Sequence, residues 1–410
     1  MLFYKLRKKI QRDIHLLEIA FYLLMVILLV GGRSISKLQL IGPIFLYDTL
    51  LLGAFCWAAL QHKKRQRFMF FELLFAIAFF YLAVSIILRP DKMSYVIRQF
   101  ALFGYAFIAY IICITIMSRG TQGLLVRIQQ LGRLSVLVQT AWSSYIITNG
   151  GISSLLGKYQ GEYNYYSPLT VVGTLIFAAD MLFLANGKGL KYALYFYSVF
   201  LCVTFGHSSA IVAVLCIAIF WVIKNYRRHI IPITLLCGLI VFVIFNTSEE
   251  VKDANATWRF MFWEEASEKI FVNNLAIVGE GFGVPYASQG LLYRFARELQ
   301  SYGMLKEESK PYLVPMHNSF LTVFYHIGFL PGLLLLAPYI RGVRRMYSLG
   351  RETLFLLAAL IALSTWSFFN VILELPHSSI GFWAVYFILY QKLYKEDVPK
   401  EAIKARNLYF

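Results

Sequence analysis

The chain has 410 residues, of which 59% are hydrophobic and only 15% charged, and its mean hydropathy is +0.62. That composition excludes an ordinary soluble domain and fits a polytopic membrane protein. The formal charge of +17 does not point to nucleic acid. The basic residues sit in short loops between oily segments, where membrane proteins keep cytoplasmic Lys and Arg, and no basic domain with stacking aromatics forms.

The chain opens MLFYKLRKKIQRDIHLLEIAFYLLMVILLV, predicted as a retained first helix because no small-residue cleavage site follows a short apolar core. At about twenty apolar residues per span, about twelve spans are predicted, near 15–32, 38–60, 68–88, 98–117, 132–149, 168–185, 190–206, 208–224, 229–246, 317–340, 353–373 and 378–394. The loops KLRKKIQR, HKKRQR, SRGTQGLLVR, NGKGLK, KNYRRH and RGVRRMYSLGR, with the tail KLYKEDVPKEAIKAR, fall on one side and hold most of the Lys and Arg. That side, with both termini, is expected to be cytoplasmic. Residues 1–246 then carry nine spans, 247–316 a long extracytoplasmic loop and 317–394 three more spans. Residues 395–410 form a tail ending in NLYF, which looks like a tag remnant. Within the long loop, TWRFMFWEEASEKIFVNN and SQGLLYRFARELQSYGM place apolar residues at helical spacing beside charged ones, as helices lying on a membrane surface do. No internal repeat is evident, which weighs against a transporter. The five cysteines, Cys56, Cys113, Cys202, Cys216 and Cys237, lie in apolar stretches without metal or disulfide spacing.

This topology sorts the histidines. His15, His62 and His229 fall in or near cytoplasmic loops and read as solvated, whereas His207, His317 and His377 fall at outer helix ends. With Glu374, Arg259 and Arg98 on the same side, they form a polar constellation. On a straight helix His326 lies about 180° from His317, so the two cannot share one site and His326 is expected to pack. Gly328 and Gly332 suit close helix contact, and Pro331 loosens the helix. Arg259 and Trp263 share one helix face. An arginine there suits a phosphate through bidentate bonds, although snorkelling to lipid headgroups explains it equally. Asp48 and Asp180, inside spans, are placed to relay protons or to pair with arginines. The outer compartment offers no nucleotide, so a transferase facing it takes an activated donor, and a lipid diphosphate is the obvious carrier. Such chemistry needs a base for the acceptor hydroxyl and cations for the leaving diphosphate, which neutral imidazole and arginine supply without a metal.

At these residues the chain resembles the O-antigen ligase and O-antigen polymerase superfamily of bacterial envelope proteins. HNSFLTVFYHIGFLPG is similar to that family's His-Asn, Leu and Gly-x-x-Gly pattern at the start of a late span. WRFMFWEEASEKIFVNNLAIVGEGFG is similar to its Arg-x-x-x-Trp helix and glycine-rich stretch, here Arg259, Trp263, Gly279, Gly281 and Gly283. The resemblance implies an all-α, glycosyltransferase-C-like fold and metal-independent, cofactor-free, inverting transfer of glycan from undecaprenyl diphosphate. His317 matches the base and Arg259 the arginine on the diphosphate. His207, Arg98, Asn318, Trp263 and His377 complete the candidate substrate-binding set. One departure stands out: TFGHSSAIVAVL places His207 where the family has an arginine, so His207, Arg98 or another arginine is expected to hold the diphosphate. The function expected is that of a polymerase extending O-antigen, capsule or exopolysaccharide at the outer face of a bacterial inner membrane. The alternatives are a ligase acting on lipid A-core and a transporter of lipid-linked glycan. The partners expected are the undecaprenyl diphosphate-linked oligosaccharide, an acceptor glycan, membrane lipids and a chain-length regulator.

Overall fold

The computed structural model describes residues 2–36, 38–41, 44–61, 68–156, 164–226, 254–272, 277–299 and 310–396. These are almost entirely helical. Helix α1 (Leu2–Ser36) is broken at Gly32, whose φ of 59 and ψ of −146 suit glycine alone. The chain does not then enter a helix at 38, as hydropathy predicts. Strands β1 (Gln39–Ile41) and β2 (Ile44–Phe45) form a small antiparallel hairpin pairing Gln39 with Phe45 and Ile41 with Ile44, and α2 (Leu46–Leu60) begins only after it. The stretch QLIGPIF carried the signal, β-branched residues flanking a Gly-Pro pair. Asp48 caps this junction, accepting from the Phe45 N–H at 3.1 Å and the Tyr105 hydroxyl at 2.9 Å.

Next come α3 (Met69–Leu88), a 3-10 turn at Pro90–Lys92, α4 (Met93–Met117), α5 (Gln122–Leu156), α6 (Pro168–Phe183), α7 (Lys188–Thr204) and α8 (Ser208–Asn225). The break within GHSS is real, since Gly206 has φ 68 and His207 is the N-cap of α8. The span predicted at 229–246 lies outside the described residues, as do His62, His229 and Cys237. The loop segments form α9 (Ala254–Phe271) and α10 (Gln289–Leu299), followed by the short α11 (Lys310–Leu313). The span predicted at 317–340 is not one helix. It resolves into α12 (Ser319–Ile327), α13 (Phe329–Gly332), a 3-10 turn at Leu333–Leu336 and α14 (Ala337–Arg344). Last are α15 (Arg351–Phe368) and α16 (Pro376–Glu396). Among the described residues, five helical segments are long and apolar enough to cross a membrane, at Asp13–Ile35, Met69–Leu88, Pro90–Met117, Ser208–Asn225 and Arg351–Phe368.

Helix α6 lies at the centre, packed against α5, α7, α8, α15 and α16, and buried from Leu169 to Phe183. Gly132 and Gly173 let α5 approach it, since a Cβ on Gly132 would sit 3.1 Å from the Phe177 nitrogen. Asp180 is buried on α6 and accepts from the Gln129 amide at 3.0 Å, with Arg133 3.6 Å away, so it pairs with an arginine. A second, smaller core joins α9 and α10 to α12 through Phe262, Ile270, Leu292, Phe295, Met316 and Tyr325. It fastens the loop helices onto the end of the bundle.

Candidate active site

Two fixed points bracket His317. The Trp263 indole N–H donates to the Met316 carbonyl at 2.8 Å. On the other side Asn318 is the N-cap of α12, its side-chain oxygen accepting from the Leu321 N–H at 3.0 Å. Between them His317 takes φ 52, and among the described residues no other non-glycine residue has a positive φ. The left-handed conformation costs a residue with a Cβ about 1–2 kcal/mol. Strain of this kind persists only where the surroundings over-determine it, and it concentrates at functional sites. His317 therefore precedes the helix, and its relation to other residues is set by loop geometry instead of a 100° period.

The remaining groups arrive from several elements. Arg259 lies one turn before Trp263 on α9, its Nη1 3.4 Å from the Phe369 carbonyl, while the Trp263 ring packs edge-on against Phe368 at 5.6 Å. The turn after α15 joins two helix starts. Ser319 Oγ donates to Glu374 Oε2 at 2.5 Å and accepts from the Ile372 and Leu373 N–H groups at 3.0 and 3.2 Å. Asn370 Nδ2 donates to Ser209 Oγ at 2.8 Å, at the first turn of α8 just beyond His207. The His207 ring lies 5.3 Å from Tyr165, and over that same tyrosine sits the Arg33 guanidinium, at 4.4 Å. Arg33 comes from the end of α1. The break at Gly32 is fixed by Tyr166, whose hydroxyl donates to the Val30 carbonyl at 2.8 Å and whose ring edge would lie 2.8 Å from a Cβ on Gly32.

The electrostatics tie these groups together. Burial first, then Arg259 and Arg33, push His207 down to about 4. Burial, then Arg259 and His207, push His317 down to about 3. Both imidazoles are therefore neutral at pH 7, one of the requirements for a base. Arg33 and Arg98 both act on His377, whose Nδ1 is buried with no hydrogen-bond partner among the described residues. Burial raises the carboxyl of Glu374 to about 7, against the hydrogen bond from Ser319. The structure thus brings together His317, Arg259, His207, His377 and Arg98. Asn318 and Trp263 sit in the same place but spend their polar atoms on the cap and on Met316. Arg33 was missed, although an arginine directly after the first apolar span, on the side that the basic loops predict to be the outer one, runs against the positive-inside pattern.

His326 is buried and belongs to the scaffold. Its Nδ1 lies 2.6 Å from the Gly281 carbonyl and its Nε2 3.1 Å from the Tyr286 hydroxyl, which assigns a neutral ring donating from Nδ1. The glycine-rich stretch is a strap across the end of α12. The Glu280 and Gly281 N–H groups donate to the Tyr325 and His326 carbonyls at 2.8 and 3.0 Å, satisfying acceptors that a helix end leaves open. A Cβ on Gly279 would sit 2.5 Å from the Gly328 nitrogen, and one on Gly328 would sit 2.6 Å from the Ile277 carbonyl oxygen. The close contact predicted for Gly328 is thus with this strap. From the other side α3 and α4 hold it: Ser85 Oγ accepts from the Phe282 N–H at 2.8 Å, Arg89 donates to the Phe282 carbonyl at 2.7 Å, and Gln99 bonds both Gly283 and Val284 at 2.7 Å.

No known protein family matches the chain, and no curated protein matches it. The functional reading therefore rests on this geometry and on the resemblance of its motifs.

Proposed function

We propose that the chain is a polysaccharide polymerase. It extends O-antigen, capsule or exopolysaccharide by moving the growing glycan from undecaprenyl diphosphate onto the next lipid-linked repeat unit. In this reading it is a bacterial inner-membrane protein of about twelve spans and glycosyltransferase-C-like fold, with both termini cytoplasmic and the 247–316 loop and active site periplasmic. The observation that carries the proposal is the convergence of a strained, neutral His317 with Arg259, Arg33 and Arg98 at one end of the bundle. His317 takes the proton of the acceptor hydroxyl as its oxygen attacks the anomeric carbon. The bond from that carbon to the diphosphate oxygen breaks with inversion, and the arginines stabilise the charge on the departing undecaprenyl diphosphate. No step in this scheme calls on a metal.

The test is incubation of purified protein with lipid-diphosphate-linked repeat units and no other acceptor, with products resolved by gel and mass spectrometry. A ladder of lipid-linked oligomers that vanishes in His317→Ala is the expected result. Transfer only after lipid A-core is added makes the protein a ligase, and inertness in both assays overturns the transferase reading in favour of transport.

A further inference from the structure

Helix α5 reaches past the bundle beside the candidate active site. Gln139 anchors it against the start of α6: its Oε1 accepts from the Tyr166 N–H and the Thr170 hydroxyl, each at 3.2 Å, and its amide donates to the Asn164 carbonyl at 3.0 Å. Beyond that anchor α5 runs on for about 18 Å to a bend at Gly151, where φ is 74. A row of rings leads from the site onto this projection. The Tyr165 ring lies 5.3 Å from His207. The ring of the next residue, Tyr166, meets Trp142 edge-on at 5.3 Å, and Tyr145 stacks on Trp142 at 5.4 Å with 21° between the planes. Tyr145, the outermost ring, is 58% exposed. One turn further along the same helix face, the exposed Asn149 donates from Nδ2 to the Tyr145 carbonyl at 2.8 Å, which leaves its amide oxygen to accept from a ligand.

From Leu134 to Leu156 the helix carries no charged side chain, and its polar residues besides the aromatics are Ser, Thr, Asn and Gln. An ionic ligand finds no partner on that surface. Flat rings edged by hydroxyls and an amide instead complement a sugar ring, which presents C–H groups on its faces and hydroxyls around its rim. A belt of Trp and Tyr at a membrane interface turns its polar tips to the headgroups. Here the Trp142 Nε1 is buried with no hydrogen-bond partner among the described residues, and the Tyr166 hydroxyl is spent on the Val30 carbonyl at 2.8 Å.

We propose that Trp142, Tyr145, Tyr166 and Asn149 form a sugar-stacking platform that holds the growing glycan beyond the unit being transferred. The inference rests on the polymerase reading and adds to it a dependence on chain length. A long chain gains a contact that the reacting unit alone does not make, so it is extended again in preference to a short one.

The experiment uses the full chain in phosphatidylcholine nanodiscs, with lipid-diphosphate-linked single repeat units and purified lipid-linked oligomers as donors. It reads initial rates against donor concentration and product length by gel. Tyr145→Ala and Trp142→Ala are expected to raise the half-saturating concentration of oligomers roughly 3- to 10-fold, the worth of one aromatic stack, to raise that of single units less, and to shorten the ladder. Tyr145→Phe keeps the flat face and is expected to restore the wild-type ladder, whereas Tyr145→Leu, apolar but not flat, is expected to behave as Tyr145→Ala does. If Trp142→Ala does not insert, the series at the exposed Tyr145 alone decides. Wild-type ladders and oligomer saturation in Tyr145→Ala overturn the inference while leaving the functional reading intact. A lower melting temperature in detergent with an unchanged ladder does the same, because the rings are then an interface belt. An equal rise for single units and oligomers also overturns it, since the rings then act on the reacting unit. A wild type that forms no ladder overturns the functional reading, and the platform with it.

Discussion

Helices α6 and α12 look alike in composition, both apolar with scattered Thr and Ser, and they behave differently. Helix α6 starts at an N-cap, Ser167, with Pro168 in the first turn, and runs unbroken for sixteen residues surrounded by other helices. Helix α12 also starts at an N-cap, Asn318, but stops after nine residues at Gly328 with φ 91. Its last carbonyls bond to the Gly279–Gly283 strap instead of to a further helical turn. Hydropathy measures burial, and burial is equal in the two helices. Continuity depends on where the backbone hydrogen bonds go: the last carbonyls of α12 are taken by backbone N–H groups of the strap, whereas the last carbonyl of α6, at Phe183, is taken by the Arg351 side chain. The strap satisfies the carbonyls left open where Gly328 ends α12, while at the other end the Trp263 bond to Met316 and the Asn318 cap fix the chain at His317.

The contrast predicts separable failures. The largest effect is on chemistry at the start of α12. His317→Ala is expected to lower transfer by roughly 10²–10⁴-fold, the usual worth of a general base, with insertion and thermal stability near wild type by size exclusion and melting in detergent. The matching change on α6, Leu175→Ala, reverses the pattern. It opens a cavity in a fully buried core and is expected to cost about 2–5 kcal/mol of stability, with transfer per folded molecule unchanged. If Leu175→Ala abolishes transfer in well-folded protein, the division between scaffold and site is wrong. Between these lie the strap contacts. Gly279→Ala forces a Cβ into the backbone of Gly328 and is expected to cost about 1–3 kcal/mol by overpacking. His326→Ala removes the bonds to Gly281 and Tyr286 and is expected to cost a similar amount. For His326→Ala the transfer rate per folded molecule should stay within a small factor of wild type. Equal loss of rate in His317→Ala and His326→Ala would remove the distinction drawn between base and packing residue.

The legible parts of the molecule were those fixed by local pattern. Hydropathy located α1, α3, α4, α6 to α8, α15 and α16 closely, and helical spacing located α9 and α10. The scaffold role of His326 was also readable, although the argument for it assumed a straight helix that Gly328 interrupts, whereas Asn318, read as a substrate contact, is the N-cap of α12. Three features were hidden for physical reasons. The hairpin before α2 was masked because its residues are as apolar as a span. The break in α12 depends on a strap some forty residues upstream, a contact no local window contains. Arg33 owes its place to a bend at Gly32 and a tyrosine more than 130 residues away.

The pH dependence of stability separates the two ends of the same network. In the unfolded chain a histidine titrates near 6.5, whereas in the fold His207 and His317 are held at about 4 and 3. As pH falls below 6.5 the unfolded state therefore binds up to two more protons than the fold, and stability falls with it. Glu374 works the other way. Its folded carboxyl is raised to about 7 from 4.5, so between those values the fold binds up to one proton more. These three groups alone leave a net of about one proton, a slope of about 1.4 kcal/mol per pH unit between pH 6.5 and 4.5, and the buried imidazoles of His326 and His377, held down in the same way, steepen it. Melting temperature in detergent should decline across that window, and Glu374→Gln, which deletes the opposing group, should make the decline steeper. A flat profile in both proteins would mean that His207 and His317 titrate as exposed residues, and with that the desolvated base at the start of α12 would lose its support.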